Sequence, residues 1–293
     1  MATVGLLHPG EMGAAVGGCL VSAGHEVLWD PAGRSRASTG RALAAELTGV
    51  ALPALVSRSA VIFSVCPPHA ALDVARQVAA AGFAGVYVDA NAVSVATAAQ
   101  VASVVEAAGA TAYVDGGIIG LPPESAGHTR LYLSGPRAGE VRALFDQSAL
   151  AARIADGPPF AASAVKMAYA AWTKGTGALL LAVRAFARAE GVERTLLAEW
   201  ALSQPALGTQ SERSAASATA KGWRWVAEME EIAASMAAAG LPAGFHEAAA
   251  EIFDRAARAD AARADAAAAR DQPGNGSGGT GDSPLDTVMS ALV

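Results

Sequence analysis

Two lysines eight residues apart are the side chains of this sequence best suited to proton transfer. Lys166 and Lys174 fall within residues 161–188, where the spacing of apolar residues predicts one long helix. Both ammonium groups therefore lie on one face of that helix, together with Tyr169. Apolar residues flank Lys166, and desolvation among them would lower its pKa toward the range of a general acid or base. The alternative is an ordinary polar stripe on an amphipathic helix.

A second chemical feature is a glycine-rich turn near the N-terminus. Residues 3–7 form an apolar run that predicts a buried strand, and residues 12–21 predict a helix. Gly10 would let the backbone approach a pyrophosphate at the helix N-terminus, and Gly13 would let the helix pack closely on the strand. His8 replaces the first glycine of the usual G-x-G-x-x-G pattern, and a tight turn in another α/β protein is the alternative. The cofactor-binding residues predicted here are Leu7, His8, Pro9, Gly10, Glu11 and Met12.

The segment after the second predicted strand bears on which dinucleotide binds. Asp30 follows the glycine turn by roughly twenty residues, the distance at which an acid meets the adenosine ribose of NAD. Gly33, Arg34 and Ser35 come next and offer a 2′-phosphate a flexible loop, a guanidinium and a hydroxyl at a helix start. The sequence therefore favours NADP, and NAD stays open as the alternative.

The elements that must position these residues alternate between strands and helices over the first half of the chain. Alanine-rich segments such as 70–81 and 96–107 predict helices between apolar runs. Continuous apolar strands alternating with helices predict an α/β fold with a mainly parallel, doubly wound Rossmann sheet. The further predicted strands are 26–30, 61–65, 86–89, 111–115, 130–134 and 151–155.

Strand signals stop at the Asp-Gly-Pro-Pro sequence of residues 156–159, which predicts a domain boundary. We predict a Rossmann domain over 1–157, an all-helical domain over 158–271, and a flexible linker with a C-terminal tail over 272–293. The apolar end of the tail is expected to dock on its own domain or on a second subunit, or to fray. The predicted helices of the second domain are 161–188, 195–203, 211–220, 225–239 and 245–269.

Composition narrows the range of partners. A net charge of −6 and a pI near 5.4 argue against nucleic acid, because no excess of basic residues is present to contact phosphates. Cys19 and Cys66 belong to no Cys-x-x-Cys or Cys/His cluster, so we expect neither a disulfide framework nor a bound metal. No signal-peptide pattern or membrane-spanning apolar stretch is visible, so we expect a cytoplasmic protein with no membrane partner.

With these residues assembled, the chain resembles the β-hydroxyacid dehydrogenase superfamily, which includes 3-hydroxyisobutyrate dehydrogenases, 6-phosphogluconate dehydrogenases and imine reductases. More narrowly, it resembles the branch whose helical C-terminal region is named DUF1932. The resemblance covers residues 1–255 and implies a helical domain like that of 6-phosphogluconate dehydrogenase. The matching segments are 5–13 (family pattern G-x-[IV]-G-x-G-x-M-G), 89–94 (D-x-S-T-I-x-P), 115–120 (D-A-P-V-S-G-G) and 163–170 (G-x-x-x-K-x-x-N-N).

The resemblance implies roles for residues inside these segments. Lys166 matches the catalytic lysine, whereas Ala170 takes the place of the asparagine four residues on. Asn91 occupies the serine position beside the nicotinamide, where its amide would bind the carboxamide or the substrate. Ile119 replaces the serine that binds a substrate carboxylate, so that contact is lost or passes to backbone N–H groups. Further predicted cofactor-binding residues are Cys66, Pro67 and Pro68, and the predicted substrate-binding residues are Asn91, Gly117, Ile118, Ile119, Gly120 and Trp172.

The sequence thus predicts an NADPH-dependent oxidoreductase that transfers hydride to or from a small polar substrate. The retained lysine favours carbonyl and alcohol chemistry with Lys166 as general acid or base, and Tyr169 and Lys174 complete the predicted catalytic set. Imine reduction is one alternative, and a non-catalytic dinucleotide-binding redox sensor is another. For Tyr169 and Trp172, packing of the helix on the sheet domain is a further alternative. The resemblance also implies a homodimer through the helical domain.

Overall fold

The computed structural model describes residues 1–270 and 283–293. The chain divides into two compact units, Met1–Ala168 and Tyr169–Val293, which we call the sheet unit and the helical unit. The division falls inside one long helix, α7 (Ala161–Ala189). Lys166 therefore belongs to the sheet unit and Lys174 to the helical unit.

The sheet unit is built on eight strands in the order β3-β2-β1-β4-β5-β6-β7-β8. All neighbours are parallel except β6 and β7, which are antiparallel. The predicted doubly wound, mainly parallel sheet is confirmed, and the two-residue edge strand β3 is an addition to it. The strands are β1 (Thr3–Leu7), β2 (Glu26–Trp29), β3 (Thr48–Gly49), β4 (Val61–Ser64), β5 (Val86–Asp89), β6 (Ala112–Ile119), β7 (Thr129–Ser134) and β8 (Leu150–Ile154).

Helices cover both faces of this sheet, and neighbouring residues of one strand enter different apolar cores. In β4, Phe63 belongs to the core on one face and Ile62 to the core on the other. Strands that bury both faces are apolar throughout, which is why they appear in the sequence as continuous runs. The helices are α1 (Glu11–Ser22), α2 (Arg36–Ala44), α3 (Leu52–Arg58), α4 (Ala71–Ala80), α5 (Val95–Ala107) and α6 (Ala138–Ala143), and a 3₁₀ turn (Pro68–Ala70) precedes α4.

The register of the central strands aligns their carboxyl ends. Leu7 at the end of β1 pairs with Ser64 of β4, Ser64 pairs with Asp89 of β5, and Asp89 pairs with Asp115 of β6. The chain leaves β1 toward β2 on one side and reaches β4 on the other, so β1 and β4 flank the point where strand order reverses. Ligands of doubly wound sheets bind outside the carboxyl ends of the strands at such a point.

The helical unit holds the remainder of α7 and four further helices, α8 (Glu193–Ser203), α9 (Leu207–Ala238), α10 (Gly244–Arg270) and α11 (Pro284–Leu292). The prediction of two helices over 211–220 and 225–239 is wrong, because α9 runs through both. Gly222 does not end a helix. A Cβ there would lie 3.0 Å from the carbonyl oxygen of Phe253, so this glycine allows α9 to pack closely on α10. None of the helices in the described parts of the chain combines the length and apolar character needed to cross a membrane.

The C-terminal segment docks on its own helical unit, which was one of the outcomes left open above. Helix α11 begins after Ser283, whose hydroxyl accepts the backbone N–H of Asp286. Val288 and Met289 are fully buried, and Asp286 pairs with Arg188 of α7 at 3.0 Å. Most of the predicted flexible linker, residues 272–282, lies outside the described residues.

Candidate functional site

The β1–α1 turn holds the backbone in the shape that the glycine pattern requires. His8 has a φ of +68°, so the first position of the pattern is left-handed although it carries a side chain. A Cβ at Gly13 would lie 2.3 Å from the carbonyl oxygen of His8, so only glycine lets α1 approach the turn this closely. The Nε of Arg41, on α2, donates to the carbonyl oxygen of Pro9 at 3.4 Å and links the turn to α2.

The N-terminus of α1 is open to an anion. Gly10 is the N-cap residue and supplies no side-chain cap, so the first N–H groups of α1 have no intrahelical partner. A Cβ at Gly10 would meet nothing within 4 Å, so there is space directly before the helix. N–H groups without a side-chain cap, the positive end of a helix dipole and open space together fit a diphosphate.

The loop between β2 and α2 carries the residues predicted to bind the adenosine ribose. One carboxylate oxygen of Asp30 accepts the backbone N–H of Ala32 at 2.9 Å and is therefore engaged within the loop. Gly33 has a φ of +69°, and Ser35 caps α2 through the N–H of Ser38. The positive charge of Arg34 contributes to lowering the pKa of His8, so Arg34 lies near the β1–α1 turn. Its Nε is buried and has no hydrogen-bond partner among the described residues.

The ends of β4 and β5 are joined by Asn91, which is 2% exposed. Its amide oxygen accepts the N–H of Cys66 at 2.6 Å, and its amide nitrogen donates to the hydroxyl of Ser64 at 3.0 Å. Its backbone N–H donates to Asp89 at 2.9 Å. Burial raises the pKa of the Cys66 thiol to about 12, so this thiol is neutral. Asn91 therefore braces the two loops, and a direct contact of its amide with a ligand stays a prediction.

The N-terminus of α7 is fixed to β6 by one buried carboxylate, that of Asp115. Its two oxygens accept the hydroxyl of Ser163 at 2.5 Å, the N–H of Ser163 at 2.8 Å and the hydroxyl of Ser134 at 2.8 Å. Ser134 in turn accepts the N–H of Ala162 at 3.1 Å. Burial raises the pKa of Asp115, and the hydrogen bonds from Ser163 and Ser134 oppose that shift. This network sets where α7 starts relative to the sheet.

Lys166 lies one turn further along α7, against the backbone of β6. A Cβ at Gly117 would lie 2.6 Å from the carbonyl oxygen of Ala162 and 2.9 Å from the Cβ of Lys166. A Cβ at the neighbouring Gly116 would lie 2.9 Å from the carbonyl oxygen of Asp89. Gly116 thus lets β6 lie close to the end of β5, and Gly117 lets the half-buried Lys166 pack on β6 next to it.

The other predicted substrate residues of β6 face the interior. Ile118 and Ile119 are buried, and Ile118 packs in the apolar core. A substrate contact through either residue would therefore have to come from the backbone. Gly120 has a φ of +124°, and a Cβ there would lie 2.6 Å from the carbonyl oxygen of His128, so it shapes the connection to β7.

In the helical unit, Lys174 is engaged in a largely buried ion pair with Glu228. Its Nζ also lies 5.6 Å from the ring centroid of Trp225. Lys174 and Trp225 line a cavity of about 170 Å³ together with polar side chains of α9. Trp172 is 73% exposed, and Tyr169 is also exposed.

One buried side chain outside the predicted site residues is His246, at the start of α10. It is 7% exposed, packs at Gly175 and hydrogen-bonds the backbone of Ala171 in α7. Burial lowers its pKa, and that hydrogen bond opposes the shift. A single sequence offers no signal for this contact. Within residues 1–270 and 283–293, no three His, Cys, Asp or Glu side chains gather in a way that suits a metal ion.

A doubly wound sheet with a glycine turn at an uncapped helix N-terminus, followed by an all-helical unit, defines a dinucleotide-binding protein class. Residues 3–93 match the family model described as NADP oxidoreductase coenzyme F420-dependent. Residues 187–256 match the model described as Domain of unknown function (DUF1932). These matches and the similar solved structures confirm the predicted resemblance to the β-hydroxyacid dehydrogenase-like superfamily.

Solved structures share this architecture over nearly their whole length. The conserved protein MTH1747 of unknown function, described as structurally similar to 3-hydroxyacid dehydrogenases, is 28% identical, with 88% of this chain and 98% of that chain covered and a TM-score of 0.66. Mycobacterium tuberculosis 3-hydroxyisobutyrate dehydrogenase with L-serine is 20% identical, with 100% and 99% covered and a TM-score of 0.67. Aspergillus terreus reductive aminase in complex with NADPH and ethyl levulinate is 21% identical, with 88% and 94% covered and a TM-score of 0.54. No curated protein sequence matches this chain.

Proposed function

We propose that this chain is an NAD(P)-dependent oxidoreductase that transfers hydride between the nicotinamide and a small polar substrate. The observation that carries the proposal is the alignment of strand ends in the sheet unit. The uncapped turn at Gly10, the Asn91 brace and the Lys166 stem all belong to one edge of one sheet. That edge is where doubly wound sheets bind nucleotides.

The chemistry that we assign to the chain is proton transfer by Lys166. The bound nicotinamide supplies or accepts the hydride at the substrate carbon. In the reducing direction the Lys166 ammonium gives a proton to the substrate oxygen, and in the oxidising direction the neutral amine takes it back. The Asp115 network holds the start of α7, and Gly117 holds the lysine stem, so these groups orient the amine.

Tyr169 and Lys174 remain proposed members of the catalytic set, with a role in holding substrate. The ammonium of Lys174 is paired with a buried carboxylate, which favours binding of a polar group over release of a proton. Trp172 is exposed on the same helix and is proposed to contact substrate.

We propose NADPH as the preferred cofactor. One oxygen of Asp30 is engaged within its own loop, whereas the Nε of Arg34 has no hydrogen-bond partner among the described residues. Arg34→Ala should weaken NADPH binding about tenfold or more, because a charge-assisted hydrogen bond to a phosphate is lost, and should leave NADH binding nearly unchanged. Equal effects on both dinucleotides would contradict the preference.

The proposed activity is tested in two steps. Fluorescence titration of the chain with NADPH and NADH should give saturable binding, and no binding of either would remove every enzyme interpretation. A panel of 3-hydroxyacids, aldehydes and cyclic imines should then identify turnover that Lys166→Ala loses. Lys221→Ala, which changes the one lysine outside α7, is the matched control. Binding without turnover across the panel would favour the redox-sensor alternative.

Imine reduction is the second candidate, and the burial of Ile118 and Ile119 favours it. No side-chain hydroxyl at these positions is available to bind the carboxylate of a 3-hydroxyacid, whereas an imine does not require that contact. Turnover of cyclic imines without turnover of 3-hydroxyacids would select this candidate over the first.

We further propose a homodimer through the helical unit. Trp172, Leu179 and Phe186 are exposed and recur every seven residues on α7, so they form one apolar stripe. Phe186→Glu should convert a dimer to a monomer in light scattering without lowering the melting temperature. A wild-type chain that is monomeric at micromolar concentration would contradict this part of the proposal.

A further inference from the structure

The β1–α1 turn contains a residue, His8, whose type is not explained by the requirements of the fold. His8 adopts a left-handed backbone conformation with a φ of +68°, which strongly favours glycine. The turn needs this conformation, and glycine would provide it without steric cost. A histidine here therefore lowers the stability of the sheet unit relative to glycine.

The imidazole adds a second cost. Its Nδ1 is fully buried and has no hydrogen-bond partner within the described residues. A buried polar atom without a partner loses its hydration and gains nothing in return. Both the backbone conformation and the side chain of His8 therefore make the folded state less stable than glycine would at this position.

The charge state of His8 suits it to a ligand. Burial first and the charge of Arg34 second lower its pKa to about 4, so the imidazole is neutral at neutral pH and offers one donor and one acceptor nitrogen. Arg34 is close enough to exert this effect, and its own Nε is also buried and without a partner. Two side chains that interact through charge thus each carry a buried nitrogen without a hydrogen-bond partner among the described residues, and one of them, His8, belongs to the β1–α1 turn.

Glu46 shows that a left-handed backbone conformation does not by itself bring a buried, unpaired side-chain atom with it. It has a φ of +58° just after the end of α2, and its side chain is exposed to water. At Glu46 the backbone conformation has no accompanying buried polar atom. Backbone strain combined with an unsatisfied side chain is the pattern found at ligand-binding positions.

We propose that His8 is a dinucleotide-binding residue whose imidazole hydrogen-bonds the adenosine half of the bound dinucleotide, near Arg34. The inference rests on the proposed function and deepens it. The adenosine half is assigned because Arg34 belongs to the β2–α2 loop, the loop that meets the adenosine ribose in doubly wound folds.

The test compares His8→Gly with the matched control Glu46→Gly. Both variants remove the backbone strain of a non-glycine residue with a positive φ, so both should raise the melting temperature of the free protein by on the order of 2 °C. Binding is measured with NADPH and with adenosine 2′,5′-bisphosphate, which lacks the nicotinamide. His8→Gly should weaken both by about fivefold, the effect of one lost hydrogen bond, and Glu46→Gly should weaken neither.

The outcomes separate this inference from the proposed function. Equal or tighter binding by His8→Gly would overturn the inference, as would a loss that Glu46→Gly shares. A melting temperature that does not rise in His8→Gly would remove its premise. A wild-type chain that binds neither probe would instead contradict the proposed function itself.

Discussion

The two lysines of α7 are held in different ways, although they lie on one helix face. Lys166 is positioned through its stem, because glycine at 117 lets that stem pack closely on the backbone of β6. Lys174 is positioned by attraction, through the carboxylate of Glu228 and the ring of Trp225. The contact of Lys166 involves its stem, whereas the contacts of Lys174 engage its ammonium group.

The difference shows that residue type and helical spacing predict a shared face but not a shared role. An ammonium in a buried ion pair keeps its proton, since losing it would leave the carboxylate unpaired. We therefore expect substitutions at the two lysines to separate activity from stability.

The largest expected effect is on turnover at Lys166. Lys166→Ala should lower kcat by about 10²- to 10⁴-fold, the contribution of a positioned general acid, while the NADPH dissociation constant stays unchanged. Steady-state kinetics on the substrate identified by the panel, with NADPH titration alongside, measures both. Activity that survives in Lys166→Ala would contradict the role of Lys166 as general acid and with it the proposed difference between the two lysines.

At Lys174 the larger effect should be on stability. Lys174→Met leaves Glu228 buried without its lysine and should cost about 3 kcal/mol of unfolding free energy in urea. The double variant Lys174→Met/Glu228→Leu should cost less than the sum of the two single variants, because both charges are then removed. A single variant as stable as the wild type would show that the pair contributes little.

The third prediction concerns Gly117, the glycine that lets the stem of Lys166 pack on β6. Gly117→Ala places a methyl group 2.6 Å from the carbonyl oxygen of Ala162, so it should cost about 2 kcal/mol and lower kcat through displacement of α7. Gly40→Ala is the control, since a Cβ there meets nothing within 4 Å inside α2, and should be neutral or stabilising. An unchanged kcat in a folded Gly117→Ala protein would show that the close approach is not needed.

Much of the fold follows from the sequence because buried parallel strands are continuous apolar runs. The runs ending at Leu7 and Asp89 became strands with the expected bounds. The edge strand Thr48–Gly49 could not be predicted because it contains no apolar run. The antiparallel pairing of β6 with β7 could not be predicted because the sequence of the two strands does not indicate their relative direction. The sequence also does not reveal that α10 lies close enough to α9 to require a glycine at position 222.

The candidate site was predictable to a smaller extent. The turn and Lys166 come from local patterns and from resemblance, and each depends on residues close in sequence. The Asp115 network and the contact of His246 with α7 join residues far apart in the chain, for which one sequence offers no signal. The conformation of His8 could be suspected only from the glycine that it replaces.

The smallest expected effect concerns pH. Since the pKa of His8 falls from 6.5 to about 4 on folding, the unfolded chain binds the extra proton between these values, and stability declines as the pH drops through that window. Because the ring is partly exposed, we expect a loss of about 1 kcal/mol at pH 5 relative to pH 7. Denaturant midpoints at both pH values should show a smaller decline in His8→Gly, and an equal decline would exclude His8 as its source.

Binding of the dinucleotide at the β1–α1 turn is the central claim, and one variant tests it most directly. Gly10 is the N-cap residue of α1 with open space beside it, so Gly10→Val should leave the free fold intact and occupy the volume proposed for the diphosphate. Fluorescence titration with NADPH should show saturable binding by the wild type and at least tenfold weaker binding by Gly10→Val at an unchanged melting temperature. Equal affinity in the two proteins would contradict the account.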